Sequence, residues 1–443
     1  MRRRDFIKAA AAAIPLFYVG CASKGFVARR PAPGAPIRLG LIGCGSRMVR
    51  GLVTETAGER IVAACDADSA RLDALKERLV KLKRANEVPG IRLFRDWRDL
   101  FDAVGDELDA VIIATPNHQH LGPALAAIRR GIGIYLEKPM THTRAELDAL
   151  MAAWRANPVP TQVGSHGHSN EGTRLLVDYV QSGLLGQVHD VWLWDCRTNA
   201  FPVLPPAVAP PSTLDWEIWQ GDVPRRAYRE GIHPHDWHYW KAWGNGAVGN
   251  TGPHFFDPPV WALKIDAKAI AGATARVVEA KPGAAESWNL RNTVEWRIPA
   301  RGGFDPVTFH WYDGLKEGVP LDDEHLGTWG VSRKREWQHV PPVLQELERK
   351  YAMDLGREGF LVVGENGIIR MGASGGGFMF VPNTLKARLG AAPQIVPREK
   401  GFTHMKDFFR SVRGEREAGC NFAYAAPIAE MTLLGNEAIL ARG

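Results

Sequence analysis

The sequence predicts an α/β protein in two parts: a parallel sheet with helices on both faces, then a second part built on a mostly antiparallel sheet. Two observations predict this order. Between residues 37 and 165, runs of Val, Ile, Leu and Ala alternate with helical patterns, as is typical of a buried parallel sheet. Beyond residue 166, several segments alternate apolar and polar residues, as strands do when one sheet face is packed and the other exposed.

The elements follow in order along the chain. The first part contains predicted strands at Arg38–Ile42, Ile61–Cys65, Ile91–Phe94, Ala110–Ala114, Ile132–Leu136 and Thr161–Val163, with helices at Ser69–Arg84 and Leu121–Arg130. The second part contains predicted strands at Gln187–Asp195, Asn292–Ile298, Val307–Tyr312 and Phe360–Val363. Residues 201–243 are rich in Pro, Trp and His and too long for an ordinary connection, so we expect them to help form a site.

The chain begins with a segment typical of a twin-arginine export leader. Residues 2–8, RRRDFIK, precede an apolar stretch at residues 9–20 that is too short to span a bilayer as a stable helix. Cys21 follows residues that loosely resemble a lipoprotein processing site, which leaves lipidation and plain cleavage both open. The chain therefore divides into a leader and linker at 1–36, a first domain at 37–165 and a second domain at 166–443.

The composition argues against a nucleic-acid partner. The net charge is +6, but residues 1–36 hold seven of the 55 basic and one of the 49 acidic residues, which leaves 48 of each in the remainder. A formally neutral mature chain has no electrostatic footprint for nucleic acid, and its membrane contact would come only through lipidation of Cys21. The other cysteines show no paired spacing, and Cys44 and Cys65 within sheet elements are expected to be buried small residues.

A glycine-rich turn between the first strand and a helix predicts a dinucleotide site. The first glycine, Gly43, allows the tight turn, and Gly45 lets backbone N–H groups approach a pyrophosphate at a helix N-terminus. Ser46 and Arg47 complete the turn, and Met48 stands where the fingerprint has its third glycine. The sequence therefore predicts a dinucleotide fingerprint that lacks one of its three glycines.

An acidic residue at the end of the second strand favours NAD over NADP. Asp66 lies 23 residues after Gly43, where a carboxylate can bind the adenosine ribose hydroxyls and repel a 2′-phosphate. Asp68 is better placed to cap the following helix, which leaves Asp66 free for the ribose. Arg47 could partly offset the repulsion of a 2′-phosphate.

Two further strand ends should face the same crevice. Thr115, Pro116 and Asn117 close the fourth strand, and Glu137-Lys138-Pro139 closes the fifth. Ligands of such sheets bind outside the carboxyl ends of the strands. A lysine fixed there by a following proline is poorly explained as a solvated surface residue, so Lys138 is a candidate site residue.

The ordered motifs resemble the Gfo/Idh/MocA oxidoreductase family. The matching segments are GCG at 43–45, ATPNHQH at 114–120, EKPMTHT at 137–143, LDWEIWQG at 214–221, GNGAVGNTGPHFFD at 244–257 and the C-terminal residues 418–440. This resemblance to exported members of planctomycete and verrucomicrobial type implies a Rossmann domain followed by an α/β domain with a large open sheet, whose outer face often forms the oligomer interface. A homo-oligomer is therefore expected.

The resemblance also implies roles for particular residues. Lys138 would hydrogen-bond the reacting hydroxyl and the cofactor ribose, and His254 would act as acid–base. The family acid one helical turn before that histidine is replaced by Asn250, which cannot raise the pKa of an imidazole, so His254 should be a weaker base. The expected cofactor contacts are Gly43, Gly45, Ser46, Arg47, Met48, Asp66, Thr115, Pro116, Asn117, His120, Glu137 and Lys138.

A dense group of histidines is expected to contact substrate. His233, His235 and His238 stand beside Trp237 in residues 232–238, and Trp240 and Trp243 follow as possible sugar-stacking surfaces. The spacing could also suit a metal, but structural sites usually add cysteine ligands and none lies near, so no metal is expected. The fifteen tryptophans of the chain fit a carbohydrate cleft or a large core almost equally.

Together these observations predict an exported NAD(H)-dependent oxidoreductase that transfers hydride between a tightly bound cofactor and a sugar or glycoside. No free nicotinamide pool is expected outside the inner membrane, so the chain should fold around its cofactor before export to the periplasm. One alternative is an NAD-dependent glycosidase acting by oxidation and elimination, although exported members of that branch tend to lack a lysine equivalent to Lys138. Another is a non-catalytic sugar-binding lipoprotein.

Overall fold

The computed structural model describes residues 26–442, so the predicted export leader and Cys21 lie outside the described residues. Two sheets organise this part of the chain, one six-stranded and parallel, the other seven-stranded and mostly antiparallel. The α/β class expected from the sequence is confirmed.

The first sheet has the strand order β3-β2-β1-β4-β5-β6, the doubly wound order of Rossmann folds. Its strands are β1 (Arg38–Ile42), β2 (Arg60–Cys65), β3 (Arg92–Phe94), β4 (Ala110–Ile113), β5 (Gly133–Leu136) and β6 (Thr161–Val163). The strand order reverses between β1 and β4, so the loops after these two strands diverge and open a crevice at the carboxyl edge of the sheet.

Helices cover both faces of this sheet. They are α1 (Val53–Glu55, which continues a π-helical turn at Met48–Leu52), α2 (Ser69–Lys81), α3 (Trp97–Val104), α4 (Leu121–Arg129) and α5 (Arg144–Ala156). The side chain of Asp68 accepts a hydrogen bond from the Ala70 N–H at the start of α2, so its predicted capping role is confirmed. Cys44 and Cys65 are buried free thiols, also as expected.

The second sheet has the order β13-β12-β11-β7-β10-β9-β8. Its strands are β7 (Val188–Trp194), β8 (Thr274–Lys281), β9 (Arg291–Ile298), β10 (Val307–Gly314), β11 (Gly359–Gly364), β12 (Gly367–Met371) and β13 (Met379–Val381). The central pair β7–β10 is parallel, and the other neighbours are antiparallel. Three of these strands, β8, β12 and β13, are absent from the sequence prediction, because β8 is an edge strand and the other two are short.

The remaining helices follow the first domain along the chain, and several of them pack on one face of the second sheet. They are α6 (Glu171–Gln181), α7 (Trp216–Gln220), α8 (Gly246–Asn250), α9 (Gly252–Ala262), α10 (Ala267–Ala271), α11 (Pro342–Tyr351), α12 (Leu385–Leu389), α13 (His404–Arg413) and α14 (Phe422–Arg442). Phe255 and Phe256 of α9 pack with Trp296 and Trp311 of the sheet in the core between them. Helix α11 instead covers part of the opposite face, against Trp194 and Leu361.

The end of the chain returns to the first domain, which corrects the predicted assignment of all of residues 166–443 to the second. Met405, Phe408 and Val412 of α13 lie in the same core as β1 and β2. Phe422 at the start of α14 packs under β4 and β5, while Met431 further along packs in the second domain. The helix α14 therefore connects the two cores. Within residues 26–442, no helix has the length and apolarity of a membrane span.

Candidate functional site

A cleft lies at the carboxyl edge of the first sheet, where the strand order reverses. It encloses about 840 Å³ of space, part of it open to solvent. Its floor is formed by the turns after β1 and β4, including Gly43, Gly45, Thr115 and Pro116. Its roof comes from the long segment 201–243, which we call the strap. The predicted site-forming segment therefore covers the first domain.

The glycine turn has the shape that a dinucleotide pyrophosphate requires. Gly43 has a φ of +83°, and a Cβ there would lie 2.6 Å from the carbonyl carbon of Ala114. A Cβ on Gly45 would meet nothing within 4 Å, so open space adjoins this backbone. The helical turn that begins at Ser46 presents its first N–H groups at the same place. These features fit a pyrophosphate on the turn.

We call the end of the cleft beside Asp66 and Asp68 the β2 end. The carboxylate of Asp66 accepts hydrogen bonds from the N–H groups of Cys44 (2.7 Å) and Asp68 (2.8 Å). It thus ties the glycine turn to the loop after β2, in addition to facing the cleft. Burial raises the pKa of Asp66 to about 6. A ribose that donates hydroxyl protons to this carboxylate would stabilise its charged form.

The strap is held to the β2 end by backbone and side-chain contacts. The Asp215 N–H donates to the Ala67 carbonyl (2.9 Å), and the Ser69 N–H donates to the Thr213 carbonyl (3.0 Å). His233 Nε2 lies 2.9 Å from Asp68 Oδ2. The inner side of the strap is an apolar cluster of Leu214, Trp219, Tyr228, Ile232, Tyr239, Trp240 and Trp243. A dinucleotide in the cleft would therefore lie beneath a folded cover rather than a loose loop.

Lys138 meets Asn250 beyond the residues that line the cleft, at a place that lies toward His238 and that we call the lysine end. Lys138 Nζ donates to the backbone carbonyl of Asn250 (2.9 Å) and to its side-chain Oδ1 (3.0 Å). Burial lowers the pKa of Lys138 to about 8, against the opposing effect of Glu137. Asn250 therefore acts on the lysine directly, whereas the sequence analysis considered only its effect on the histidine.

His254 lies on the helix that follows. The helix is interrupted at Thr251, between α8 and α9. Asn250 and His254 were expected one turn apart on a single helix, but they lie on two successive helices. Nδ1 of His254 is buried without a hydrogen-bond partner in the described part of the chain. Burial, followed by the charge of Lys138, holds the pKa of His254 well below its usual value. The imidazole is therefore neutral at pH 7, and the cause is burial and neighbouring cations; the predicted effect of Asn250 on it stays a prediction.

Arg47 lies at the lysine end as well. Its Nε donates to Glu137 Oε1 at 2.7 Å, and its charge lowers the pKa of Lys138. Arg47 also lines the cleft that Asp66 faces, so its predicted effect on a 2′-phosphate stays a prediction. Glu137 itself is buried, so it supports the site through Arg47.

Three other expected cofactor contacts support the cleft from beneath. Met48 is fully buried in the first-domain core, so only its backbone is available to a cofactor. Asn117 Nδ2 donates to Asn245 Oδ1 at 2.7 Å, and both residues are buried. The ring nitrogens of His120 lie 2.8 Å and 3.0 Å from the carbonyl oxygens of Pro139 and Thr115. His120 therefore joins the loops after β4 and β5.

The histidines of the strap have different surroundings. His233 faces Asp68 at the β2 end, and His235 Nδ1 lies 3.0 Å from Asp236 Oδ1. His238 lines the cleft, and its Nδ1 is buried without a partner among the described residues. Burial, followed by the charge of Lys138, lowers its pKa. His238 is thus the strap histidine that lies toward the lysine end.

The expected role of the strap tryptophans is partly wrong. Trp237 lines the cleft, but Trp240 and Trp243 are buried in the strap's own core, so they have no exposed face for a sugar.

In the described residues, one group has metal-ligand spacing: Asp195, Cys196 and Glu358. Arg197 binds both of its carboxylates at 2.7 Å, so a guanidinium already occupies the position of a cation.

The sequence analysis missed two residues of the lysine end. His166 follows β6, and its ring is exposed and lies 5.1 Å from that of His254 in an edge-on arrangement. Arg197 follows β7, and its charge lowers the pKa values of Lys138 and His254. The rule that ligands bind at the carboxyl ends of parallel strands pointed to His166, whereas no local signal marked Arg197.

These features define the class of protein: a two-domain α/β protein with a fold of the dinucleotide-binding type and with a lysine and a neutral histidine next to the cleft. A family model described as "Oxidoreductase family, NAD-binding Rossmann fold" (GFO_IDH_MocA) matches residues 37–165. The first domain is therefore similar to the NAD-binding domain of the Gfo/Idh/MocA oxidoreductases, as the sequence motifs predicted.

The curated relatives match over the first domain and little more. The chain is 31% identical over 165 residues to the levoglucosan dehydrogenase of Pseudarthrobacter phenanthrenivorans, covering 37% of this chain and 34% of that protein. It is 28% identical over 156 residues to the inositol 2-dehydrogenase of Salmonella typhimurium, covering 34% of this chain and 43% of that protein. The alignments thus span less than half of either relative's length. Both relatives are named as dehydrogenases of a sugar or polyol.

Solved structures extend the likeness of the fold to nearly the whole chain. Levoglucosan dehydrogenase in complex with NADH and levoglucosan superposes with a TM-score of 0.56 at 16% identity, covering 92% of this chain and 98% of that chain. The WlbA dehydrogenase from Bordetella pertussis in complex with NADH and UDP-GlcNAcA gives a TM-score of 0.57 at 16% identity, with the same coverage. At this identity the comparison supports the two-domain fold alone.

Proposed function

We propose that the chain is an NAD(H)-dependent oxidoreductase that moves hydride between a retained nicotinamide cofactor and a sugar or glycoside, after export by the twin-arginine route. The observation that carries the proposal is the lysine end. There Lys138, fixed by two oxygens of Asn250, stands beside the neutral imidazole of His254. This pair lies at the carboxyl edge of a sheet whose other loops fit a dinucleotide.

The cofactor would be held mainly by residues that are already in place. The turn at Gly43 and Gly45 would take the pyrophosphate, Asp66 the adenosine ribose, and Thr115 and Pro116 would line the opposite wall. When bound, the nicotinamide ring would accept or supply the hydride. NAD is favoured over NADP, because the cleft presents Asp66 while Arg47 is paired with Glu137.

The chain's own residues would handle the charge and the proton. Below a pH of about 8 Lys138 carries a charge, and its third N–H, not taken by Asn250, would donate to the substrate oxygen. That hydrogen bond strengthens as negative charge develops on the oxygen. His254 would receive the hydroxyl proton during oxidation and return it during reduction. Its lowered pKa makes it available as a neutral acceptor.

The carbohydrate class is supported by the relatives and by the polar lining of the cleft. The names of both relatives, inositol 2-dehydrogenase and levoglucosan dehydrogenase, give a polyol or a sugar as the substrate. In this chain, His238 and His254 present buried ring nitrogens without partners among the described residues. Neutral imidazoles are both donors and acceptors, which suits hydroxyl groups.

Retention of the cofactor is supported by the strap, which covers the cleft and is bonded to the β2 end. A retained cofactor that is reduced by one substrate must be reoxidised by a second. We therefore propose that a carbonyl compound enters the same site and is reduced to an alcohol, which restores the oxidised cofactor.

A glycosidase that works by oxidation and elimination is a second candidate, favoured by one observation. His166 places another imidazole at the lysine end, 5.1 Å from His254. Oxidation of a ring hydroxyl acidifies the neighbouring C–H, and His166 could take that proton while the glycosidic C–O bond breaks. Lys138 weighs against this candidate, because exported glycosidases of the resembling family tend to lack an equivalent lysine.

The experiment is single-turnover spectroscopy on protein purified from the periplasm with its own nucleotide. Addition of an oxidisable sugar should raise absorbance at 340 nm once, in an amount equal to the bound nucleotide, and a second carbonyl compound should reverse it. Release of an aglycone during turnover would instead favour the glycosidase. Protein without nucleotide, or with nucleotide that no sugar or glycoside reduces, would contradict the proposal.

Export has its own test. Replacing Arg3 and Arg4 together by lysine removes the twin-arginine motif while keeping the charge. Precursor should then accumulate in the cytoplasm, whereas the conservative variant Arg2→Lys should be exported normally. Normal periplasmic accumulation of the double variant would contradict the proposed route.

A further inference from the structure

Trp329 is the one tryptophan among the exposed large hydrophobic residues of the described chain, with 48% of its surface accessible. Its backbone has a φ of 64° and a ψ of 30°, the left-handed region that a bulky side chain rarely adopts. An exposed aromatic ring kept in a costly backbone conformation gains nothing from burial. Such outliers persist where the surrounding structure enforces them, often at ligand sites.

The surrounding structure does enforce this conformation. Residues 326–332 form a tight turn that is bonded to the loop after β7: the Thr198 N–H donates to the Gly330 carbonyl (2.9 Å), and the Ser332 N–H donates to the Cys196 carbonyl (2.8 Å). Gly330 has a φ of +65°, and a Cβ there would lie 2.2 Å from the Thr198 carbonyl oxygen. The turn is therefore pressed against the same loop that carries Arg197.

The ring of Trp329 continues a row of rings that leads out of the cleft. It is stacked on His235 with a centroid separation of 5.6 Å and an interplanar angle of 23°. His235 lies 5.3 Å from His238, and both histidines line the cleft. Trp329 thus lies two rings beyond His238, outside the cleft and on the side of the second domain.

We propose that Trp329 is the stacking platform of a second carbohydrate subsite, so that the substrate is a glycoside or oligosaccharide with at least one ring beyond the ring that reacts at Lys138. This inference rests on the proposed function. The flat apolar face of an indole suits the C–H face of a pyranose, and its exposed part is available at the cleft mouth. The rings of His238, His235 and Trp329 follow one another at centroid separations of 5.3 Å and 5.6 Å. A substrate that extends outward from the lysine end along this row would reach Trp329.

The test compares Trp329→Ala, Trp329→Phe and the control Trp337→Ala in the full protein with its retained cofactor. Trp337 lies in the same region but packs on His325, 4.4 Å away, rather than on His235. Each variant is titrated calorimetrically with glucose, galactose and xylose, and with maltose, cellobiose, lactose and xylobiose. Cofactor reduction at 340 nm is recorded in the same samples.

We expect the unchanged protein to bind at least one disaccharide more tightly than its monosaccharide. Trp329→Ala should raise the Kd for that disaccharide about tenfold, a loss of about 1.4 kcal/mol, with little change for the monosaccharide. Trp329→Phe should recover part of the affinity, and Trp337→Ala should match the unchanged protein.

The inference is overturned if no disaccharide binds better than its monosaccharide, or if Trp329→Ala leaves the preference unchanged. A change of oligomeric state in Trp329→Ala, measured by light scattering, would assign the ring to a subunit contact and also overturn it. Failure of the proposed function is separate, because it appears as absence of cofactor reduction by every sugar, whatever residue stands at position 329.

Discussion

The β2 end of the cleft and the neighbouring lysine end differ in how their polar groups are satisfied. At the β2 end, the carboxylates of Asp66 and Asp68 accept hydrogen bonds from backbone N–H groups, and Asp68 also lies beside His233. At the lysine end, ring nitrogens of His238 and His254 are buried without partners in the described chain. Because an unpaired buried polar group costs free energy, a ligand that hydrogen-bonds to these nitrogens would gain affinity. Under the proposed function, the β2 end would hold the retained cofactor and the lysine end would hold the substrate.

The largest effect should come from removing the charged donor of the lysine end. Lys138→Ala should reduce the rate of cofactor reduction by a factor that corresponds to about 3 kcal/mol or more, because a developing alkoxide loses its donor. The bound nucleotide should stay, since the β2 end is unchanged. Stopped-flow absorbance at 340 nm measures the rate, and Lys316→Ala is the control. Near-normal turnover of Lys138→Ala would show that the chemistry lies elsewhere in the cleft.

His254→Ala should lower the same rate by roughly 10²–10⁴-fold, the usual range for one acid–base group. Nucleotide content should again be unchanged, which separates the effect from one at the β2 end. His339→Ala, a histidine on the second sheet's side of the molecule, is the control for general destabilisation. If His254→Ala kept its rate and His166→Ala lost it, the proton acceptor would be His166.

At the β2 end the expected effect is on retention rather than rate. Asp66→Ala removes the acceptor of two backbone N–H groups, each worth about 1–3 kcal/mol when left unpaired. The bound NAD per protein, measured by chromatography after denaturation, should fall tenfold or more, and discrimination against NADP should weaken. Asp73→Ala on the exposed face of α2 is the control. Unchanged NAD content and an unchanged preference for NAD over NADP would mean that the Asp66 carboxylate only holds the loop after β2 against the glycine turn.

The smallest effect is a shift of pH dependence. Asn250→Asp places a carboxylate against Lys138, which favours the ammonium and should raise its pKa above about 8 by roughly one unit. Because the charged lysine is the active form, the rate falls as pH rises through this pKa. The alkaline limb of the pH–rate profile should therefore move to higher pH. If the alkaline limb of Asn250→Asp stayed where it is in the control Asn366→Asp, the pKa that governs this limb would belong to another group.

The sequence by itself determined the parts that depend on neighbours along the chain. The parallel sheet, the turn at Gly43 and the cap at Asp68 follow from strand periodicity, a positive φ and a local hydrogen bond, all of which act over a few residues. The order of motifs also placed Lys138, Asn250 and His254 in one site. In the structure, Lys138 Nζ donates to Asn250, and burial followed by the charge of Lys138 lowers the pKa of His254.

Only the tertiary structure decided which side chains face the cleft. Trp237, Trp240 and Trp243 lie close together in the same Trp-rich segment, so the sequence does not distinguish them. Trp240 and Trp243 are buried, because the strap folds its own apolar cluster against the first domain. Arg47 pairs with Glu137, 90 residues away, and Trp329 stacks on His235 across the cleft mouth. These contacts join segments distant in sequence. Their choice depends on how the two domains and the strap pack together, and no local pattern encodes that packing.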